Sequence, residues 1–164
     1  MQSTLPSASR PRTSGKGHHG QALVEFALSL TLLMLLMFSI LELSIFIYTY
    51  SVLANATKEG VRYAIVHGAN SGSASGPPSG GPVSSPPCTA SSTNVTNVVN
   101  RVKSFAGFTL LNTSNVNVFV CYLDGNNKLT SLVEVSANYP YHPIFGFNWP
   151  SVTLYANSAG RIVF

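Results

Sequence analysis

The longest apolar run of the chain lies near its N-terminus and predicts a helix that crosses a membrane. Residues 26–41 carry no charged side chain, and beyond Glu42 the apolar character continues to Tyr50. Glu25 and Glu42 lie 17 positions apart, which is roughly 26 Å along an α-helix at about 1.5 Å per residue. Because the hydrocarbon core of a bilayer is about 30 Å thick, one spanning helix fits between these carboxylates.

The same helix is predicted to continue beyond the membrane as an amphipathic segment. Apolar side chains recur at helical spacing and no proline interrupts them. These positions are Tyr50, Leu53, Ala54, Thr57, Val61, Ala64 and Ile65. We therefore expect helix over residues 21–66, within a segment covering 21–69. Gly60 is its expected weak point, since glycine costs about 1 kcal/mol relative to alanine in a helix.

The C-terminal part of the chain predicts a small α+β head domain over residues 93–164. A Ser/Gly/Pro-rich loop at 70–92 precedes it, and we expect this loop to act as a partly stiff linker. A short amphipathic helix follows, and then three runs rich in β-formers at 116–123, 129–139 and 151–164. A hairpin turn at 124–127 and a Pro-rich turn at 140–143 join these runs. The expected fold is one helix packed on a three-stranded antiparallel sheet.

Charge distribution supports membrane attachment and excludes a nucleic-acid-binding surface. Charged residues make up 9% of the chain, against about 25% in ordinary soluble domains. Three of the nine cations lie in residues 1–20, a segment without acids that we interpret as a disordered cytoplasmic leader. Without it the net charge falls from +4 to about +1. Cations before the apolar run place the N-terminus in the cytoplasm and the head across the membrane.

The end of this leader carries a recognisable motif. Gly20 is followed by Gln21 and, five positions after the glycine, by Glu25 and then Phe26. This arrangement resembles the class III signal of type IV pilins and pseudopilins, in which a membrane aspartyl peptidase cuts after the glycine. Cleavage would make Gln21 the amino terminus, and its ammonium on a neighbouring subunit would pair with Glu25 and set the register between helices. In the alternative interpretation, Glu25 only marks the water boundary of an anchor helix.

The wider pattern narrows the comparison to one family. The segments GQALVEFALSL, LANATKEGVRYA, VEVSANYPYHP and LYANSAGRIVF together resemble the TadE-like family of the tight-adherence pilus system. Phe26 stands where TadE proteins commonly have tyrosine. The resemblance implies a minor pseudopilin of an envelope-spanning pilus or secretion apparatus, anchored once in the bacterial inner membrane with a periplasmic head. It also implies that the partners are a prepilin peptidase, other pilin or pseudopilin subunits and the lipid bilayer.

Two residue groups are candidate sites with two interpretations each. Lys58, Glu59 and Arg62 form either a docking patch for partner subunits or the solvated face of the helix. Cys88 and Cys121 would lie in an oxidising compartment, so they form either a disulfide or two free thiols. A bridge closing about 33 residues would contribute roughly 3 to 4 kcal/mol.

A cluster of aromatic residues near the Pro-rich turn also has two interpretations, an exposed binding loop or packing of the core. Its members are Tyr139, Tyr141, Phe145, Phe147 and Trp149.

No residue set indicates catalysis or metal binding. Asp124 is the one aspartate and lies in a predicted turn, His18 and His19 lack a third ligand, and His67 and His142 are isolated. We therefore expect no enzyme activity, catalytic residue, metal, cofactor or small-molecule substrate. The alternative function is a stand-alone anchored protein whose extracytoplasmic head binds a ligand, and an anchored enzyme is a weaker third option.

Overall fold

The computed structural model describes residues 18–80, 88–107, 112–145 and 150–164. Its elements are α1 (His18–Val66), α2 (Thr96–Gly107), a 3-10 turn (Thr113–Asn115), β1 (Asn117–Tyr122), β2 (Leu132–Tyr141) and β3 (Val152–Arg161). The predicted α+β fold with a long N-terminal helix is confirmed. Most of the predicted leader lies outside the described residues, which begin at residue 18.

The chain separates into two compact units between Ser39 and Ile40. The described part of the first unit, residues 18–39, is helical throughout. Helix α1 begins three residues earlier than the sequence predicted, at His18. Proline is absent from 13–76, so nothing in the composition breaks the helix there.

The second unit, residues 40–164, is built around an antiparallel sheet in the order β1-β2-β3. In the register of the three strands, Val120 pairs with Val135 and Val135 pairs with Ser158. Side chains alternate between the two faces of β2. Val133 and Val135 pack against the helices, whereas Glu134 and Ser136 hydrogen bond to the backbone of Cys88 on the other face.

Two helices, rather than the one predicted, cover the apolar face of the sheet. Ala56, Val61 and Ala64 of α1 share a buried cluster with the valines of α2, β1 and β2. Leu53 lies in a second buried cluster with residues of β2 and β3. The C-terminal half of α1 is therefore part of the core of the head.

Glycine at position 60 allows α1 to approach the rest of this core closely. A Cβ atom there would overlap Cγ2 of Val102 in α2 and would lie 3.3 Å from Cγ1 of Val135 in β2. Gly160 of β3 has the same function, because its Cβ would lie 2.7 Å from Cγ1 of Val61. The predicted weak point of the helix is thus a contact position.

Three loop predictions need correction. The connection between β1 and β2 covers residues 123–131 and is longer than the predicted turn. The carboxylate of Asp124 accepts a hydrogen bond from the amide of Leu132 at 2.8 Å, so it links the two ends of this connection. Strand β2 also continues through Pro140 to Tyr141, where a turn was predicted. Proline is tolerated there because it lies near the strand end.

The first part of the Ser/Gly/Pro-rich loop is packed and does not behave as a linker. Ser75, Gly76 and Pro77 are buried. The hydroxyl of Tyr122 donates to the carbonyl of Ser75 at 3.1 Å, and the amide of Asn127 donates to the carbonyl of Pro77 at 2.9 Å. Gly76 has φ +87°, a left-handed conformation, and its Cα lies against the ring of Tyr122, where a side chain would overlap it.

Candidate functional site

The predicted processing junction lies in the first turn of α1. Gly20 and Gln21 are helical, and Glu25 and Phe26 lie within the next two turns. No other part of the described chain lies within 4 Å of the position that a Cβ atom of Gly20 would take. Phe26 is 66% exposed. The junction is therefore exposed in the part of the chain that the structure describes.

The surface of α1 in the first unit is apolar on all sides. Its large side chains are all exposed, and none of the most apolar stretch is buried by other described residues. They include Leu23, Val24, Phe26, Leu28, Leu30, Leu32, Leu33, Met34, Leu35, Leu36, Met37 and Phe38. A helix that is apolar all round needs lipid or other helices as its surroundings. By length and composition, the described residues contain one helix able to cross a membrane.

The hydroxyl groups within α1 are compatible with an apolar environment. Thr31, Ser39, Ser44 and Thr49 each donate to the carbonyl oxygen four residues earlier, at 2.8 to 2.9 Å. A donor without a partner would cost several kcal/mol in hydrocarbon. These bonds satisfy the four donors within the helix itself.

Glu42 joins α1 to the end of β2 through one carboxylate. The hydroxyl of Tyr141 donates to Oε1, and the amides of Ile144 and Phe145 donate to Oε2 at 3.1 and 3.0 Å. The ring of Tyr141 also packs edge-on against Phe46, with centroids 5.3 Å apart. Burial, with the hydrogen bond to the Glu42 carboxylate as a second cause, raises the pKa of Tyr141 well above its ordinary value.

The apolar helix, its exposed junction and Glu42 lie in one continuous stretch of sequence, and comparison with known families recognises that stretch. Residues 20–62 match the TadE-like protein family. The predicted resemblance to this family is confirmed for that stretch, whereas the segments VEVSANYPYHP and LYANSAGRIVF lie outside the match. The match begins at Gly20 and ends at Arg62, so this TadE-like segment contains the junction, the apolar run, Glu42 and the predicted docking residues. Searches of curated proteins and of solved structures found no match.

The TadE-like family associates the chain with components of tight-adherence pilus assembly. This association rests on the helix alone, because the match ends before the Ser/Gly/Pro-rich loop, α2 and the sheet.

The three charged residues near the end of the TadE-like segment have different surroundings. Oε1 of Glu59 accepts from Nη2 and Nε of Arg101 in α2, at 2.6 and 3.1 Å. Nη1 of Arg62 lies 3.8 Å from the same carboxylate, and its side chain is 79% exposed. Lys58 is also exposed. Glu59 thus contributes to packing within the head, while Lys58 and Arg62 form the accessible part of the predicted docking patch.

The two cysteines form a disulfide whose Cα atoms are 5.8 Å apart. Cys121 lies in β1 opposite Glu134 of β2, on the face turned away from the helices. Ser136 donates from its hydroxyl to the carbonyl of Cys88 at 2.6 Å, so the segment around Cys88 lies across that face. The next residues cover the outer edge of β1, because the amide of Ser92 donates to the carbonyl of Val120 at 2.8 Å.

His67 and Asp124 make contacts within the head. The ring of His67 stacks on Tyr63 at 3.9 Å between centroids, and its Nδ1 lies 2.8 Å from the Tyr63 carbonyl oxygen. Asp124 holds the β1–β2 connection. His142 is exposed and follows Tyr141 directly at the end of β2. Within the described ranges, no three His, Cys, Asp or Glu side chains gather as a metal site. His18 and His19 are helical.

The aromatic cluster is divided between core and surface. Tyr141 is buried, Tyr139 is half-buried and Phe145 is exposed, whereas Phe147 and Trp149 lie outside the described residues. Its anchor is Glu42, which the sequence pattern marks only as an interruption of the apolar run. A single carboxylate within a run of apolar residues was the available signal, because such a group needs partners near a membrane.

Proposed function

We propose that this chain is a minor pseudopilin-like subunit of the tight-adherence pilus apparatus, a type IV-related assembly and secretion system. Its α1 helix would anchor it in the bacterial cytoplasmic membrane, with the N-terminus in the cytoplasm and the head outside. Its role is assembly rather than catalysis. The supporting observation is that the family match starts at Gly20 and continues into a helix whose apolar side chains are exposed.

The proposed partners follow from this helix. A prepilin peptidase would cut between Gly20 and Gln21, lipid would surround residues 26–41, and the helices of other pilin or pseudopilin subunits would pack beside it. The new ammonium of Gln21 on one subunit would pair with Glu25 of another. Such a pair offsets the cost of a carboxylate at the membrane boundary, which is on the order of a few kcal/mol. Neither nucleic acid nor a small-molecule substrate is part of this proposal.

Processing is tested with Gly20→Ala in cells that contain the peptidase. Because a Cβ atom at this position would meet no other described part of the chain, the added methyl group should leave the described fold unchanged and act only in the peptidase site. We expect the variant to keep its leader, whereas the wild-type chain begins at Gln21 by intact mass. The matched control is Gly72→Ala, another position with open space around it, which should be processed normally. Equal masses for Gly20→Ala and the processed wild type would refute the cleavage proposal.

Assembly is tested separately with Glu25→Ala. We expect normal processing and loss of cross-linking to pilus subunits, because the helix pair loses its anion. Glu59→Gln is the control, since its carboxylate pairs within the head. If Glu25→Ala cross-links to pilus subunits as well as the wild type does, the pairing role of Glu25 is refuted. If the wild-type chain itself does not cross-link to pilus subunits, and Gly20→Ala has the same mass as the wild type, the chain is a stand-alone anchored binding protein instead.

A further inference from the structure

The segment that follows β2, residues 142–145, is fixed at one level of α1. Three donors from this side of the head meet the single carboxylate of Glu42: the hydroxyl of Tyr141 and the amides of Ile144 and Phe145. Two of these donors are backbone amides, so the carboxylate holds the main chain itself. Glu42 thus determines the height of the segment along the helix.

The side chains at this level are mainly apolar and exposed. Ile144 is 67% exposed and Phe145 is 42% exposed. On α1, Leu43, Ile47 and Tyr48 are exposed as well. An open groove of about 460 Å³ lies beside them. Its lining includes Ile45, Tyr48, Thr49, Tyr139 and His142, and none of the described residues that line it is Lys, Arg, Asp or Glu.

The sequence position of Glu42 indicates what covers this surface. Glu42 directly follows the uncharged run 26–41, whose length suits the hydrocarbon core. Groups at the level of Glu42 would then lie at the boundary between acyl chains and headgroups. Exposed aromatic side chains with a polar group, such as Tyr48, are typical of that boundary. The charged end of the sheet is distant, since Arg161 pairs with Leu132 at the opposite end of β2 from Tyr141.

We infer that residues 142–145 and the adjoining groove form a second membrane contact, in which the Ile144 side chain enters the outer leaflet at the headgroup boundary. The Glu42 carboxylate positions this contact. The inference rests on the membrane anchoring in the proposed function and adds a defined lipid-facing side to the head. The ligand is the bilayer surface.

Depth-dependent quenching by brominated phosphatidylcholine tests this inference in vesicles that contain the full chain. In a Trp149→Phe background, Ile144→Trp provides a single fluorophore at the contact. Leu129→Trp is the matched control, because Leu129 is exposed in the β1–β2 connection at the far end of β2. Leu33→Trp reports insertion of α1. We expect bromines near the headgroup end of the chains to quench Ile144→Trp at least twofold more than Leu129→Trp.

Two results would overturn the inference while leaving the anchor intact. The first is equal quenching of Ile144→Trp and Leu129→Trp in vesicles where Leu33→Trp is strongly quenched. The second is that Ile144→Trp becomes better shielded from aqueous iodide as the protein density in the vesicle increases. Such a dependence would show that a second copy of the chain covers this surface. If Leu33→Trp itself is not quenched, the membrane anchor is absent, and both this inference and the proposed function are refuted.

The role of the carboxylate is tested with Glu42→Gln in the Ile144→Trp chain. Glutamine keeps one acceptor oxygen but places an amide group against backbone donors. We expect the quenching of Ile144→Trp to fall by at least half while circular dichroism stays unchanged. Glu59→Gln, the same change at another glutamate of α1, should leave the quenching of Ile144→Trp unchanged. Unchanged quenching in Glu42→Gln would refute the positioning role of Glu42.

Discussion

Alanine at position 60 should destabilise the head, although the same change favours an isolated helix. Replacing glycine by alanine within a helix gains about 1 kcal/mol of propensity. The new Cβ, however, would overlap the Val102 side chain and lie 3.3 Å from Val135. Overpacking of a core typically costs about 1 to 3 kcal/mol. We therefore expect a net loss of about 1 kcal/mol in the free energy of unfolding.

Hydrogen exchange of the β2 amides in the full chain, held in detergent micelles, measures this loss. A decrease of about 1 kcal/mol in opening free energy accelerates exchange roughly fivefold when the amides exchange through unfolding of the core. Asn55→Ala is the control on the same helix, because residue 55 is exposed. It should stabilise the helix slightly through propensity alone. Slower exchange in Gly60→Ala than in the wild type would refute the packing argument.

A second substitution isolates the contact itself. Val102→Ala removes the methyl group that the new Cβ would overlap, at a cost of about 2 kcal/mol for the cavity. In that background Gly60→Ala should stabilise the protein, because the overlap with Val102 is gone and the propensity gain outweighs the remaining 3.3 Å approach to Val135. A double-mutant cycle should give a favourable coupling of roughly 1 to 2 kcal/mol. Additive effects would show that Gly60 and Val102 do not interact.

Three other perturbations test different parts of the head. Replacing Cys88 and Cys121 together by alanine removes a 33-residue cross-link and should lower the free energy of unfolding by about 3 to 4 kcal/mol in urea titrations; a midpoint equal to that of the oxidised wild type would contradict this. Arg101→Gln should cost at most about 1 kcal/mol in thermal melts because its ion pair is exposed, and Arg62→Gln about half of that or less. Burial raises the pKa of Tyr122, so the folded chain keeps a proton that the unfolded chain loses near pH 10. The contribution of Tyr122 to the free energy of unfolding is therefore fully present below about pH 10 and is lost as the pH rises through the raised pKa. In denaturation experiments at pH 9 to 12, the free energy of unfolding of Tyr122→Phe should fall less steeply with pH than that of the wild type.

The fold class could be predicted from the sequence because each element has its own hydrophobic period. Leu53, Val61 and Ala64 were assigned to the buried stripe of α1 and are buried, yet Tyr50 from the same stripe is exposed. Val52 and Ala56 are buried without having been assigned. The reason is that α1 packs against both α2 and the sheet, so its buried face is wider than one periodic stripe.

The polar contacts were less predictable, because their partners are backbone groups or residues distant in sequence. Glu42 lies about 100 positions before the amides of Ile144 and Phe145, and a backbone donor has no signature in the sequence. In the β1–β2 connection, the carboxylate of Asp124 accepts from the amide of Leu132. The sequence identified Asp124 as a turn residue, but it gave no sign of the backbone amide eight positions later that its side chain binds.

The shared core of α1 and the sheet has a mechanical consequence. Leu53, Val61 and Ala64 connect the helix to the strands through buried contacts, and the amide of Val163 donates to the carbonyl of Ile65 at 3.0 Å. A force applied to the chain at Ile40 would therefore be transmitted directly to the sheet, because no flexible segment lies between Ile40 and the buried contacts of the helix. Within residues 40–164, separating the helix from the strands would require unfolding of the head itself.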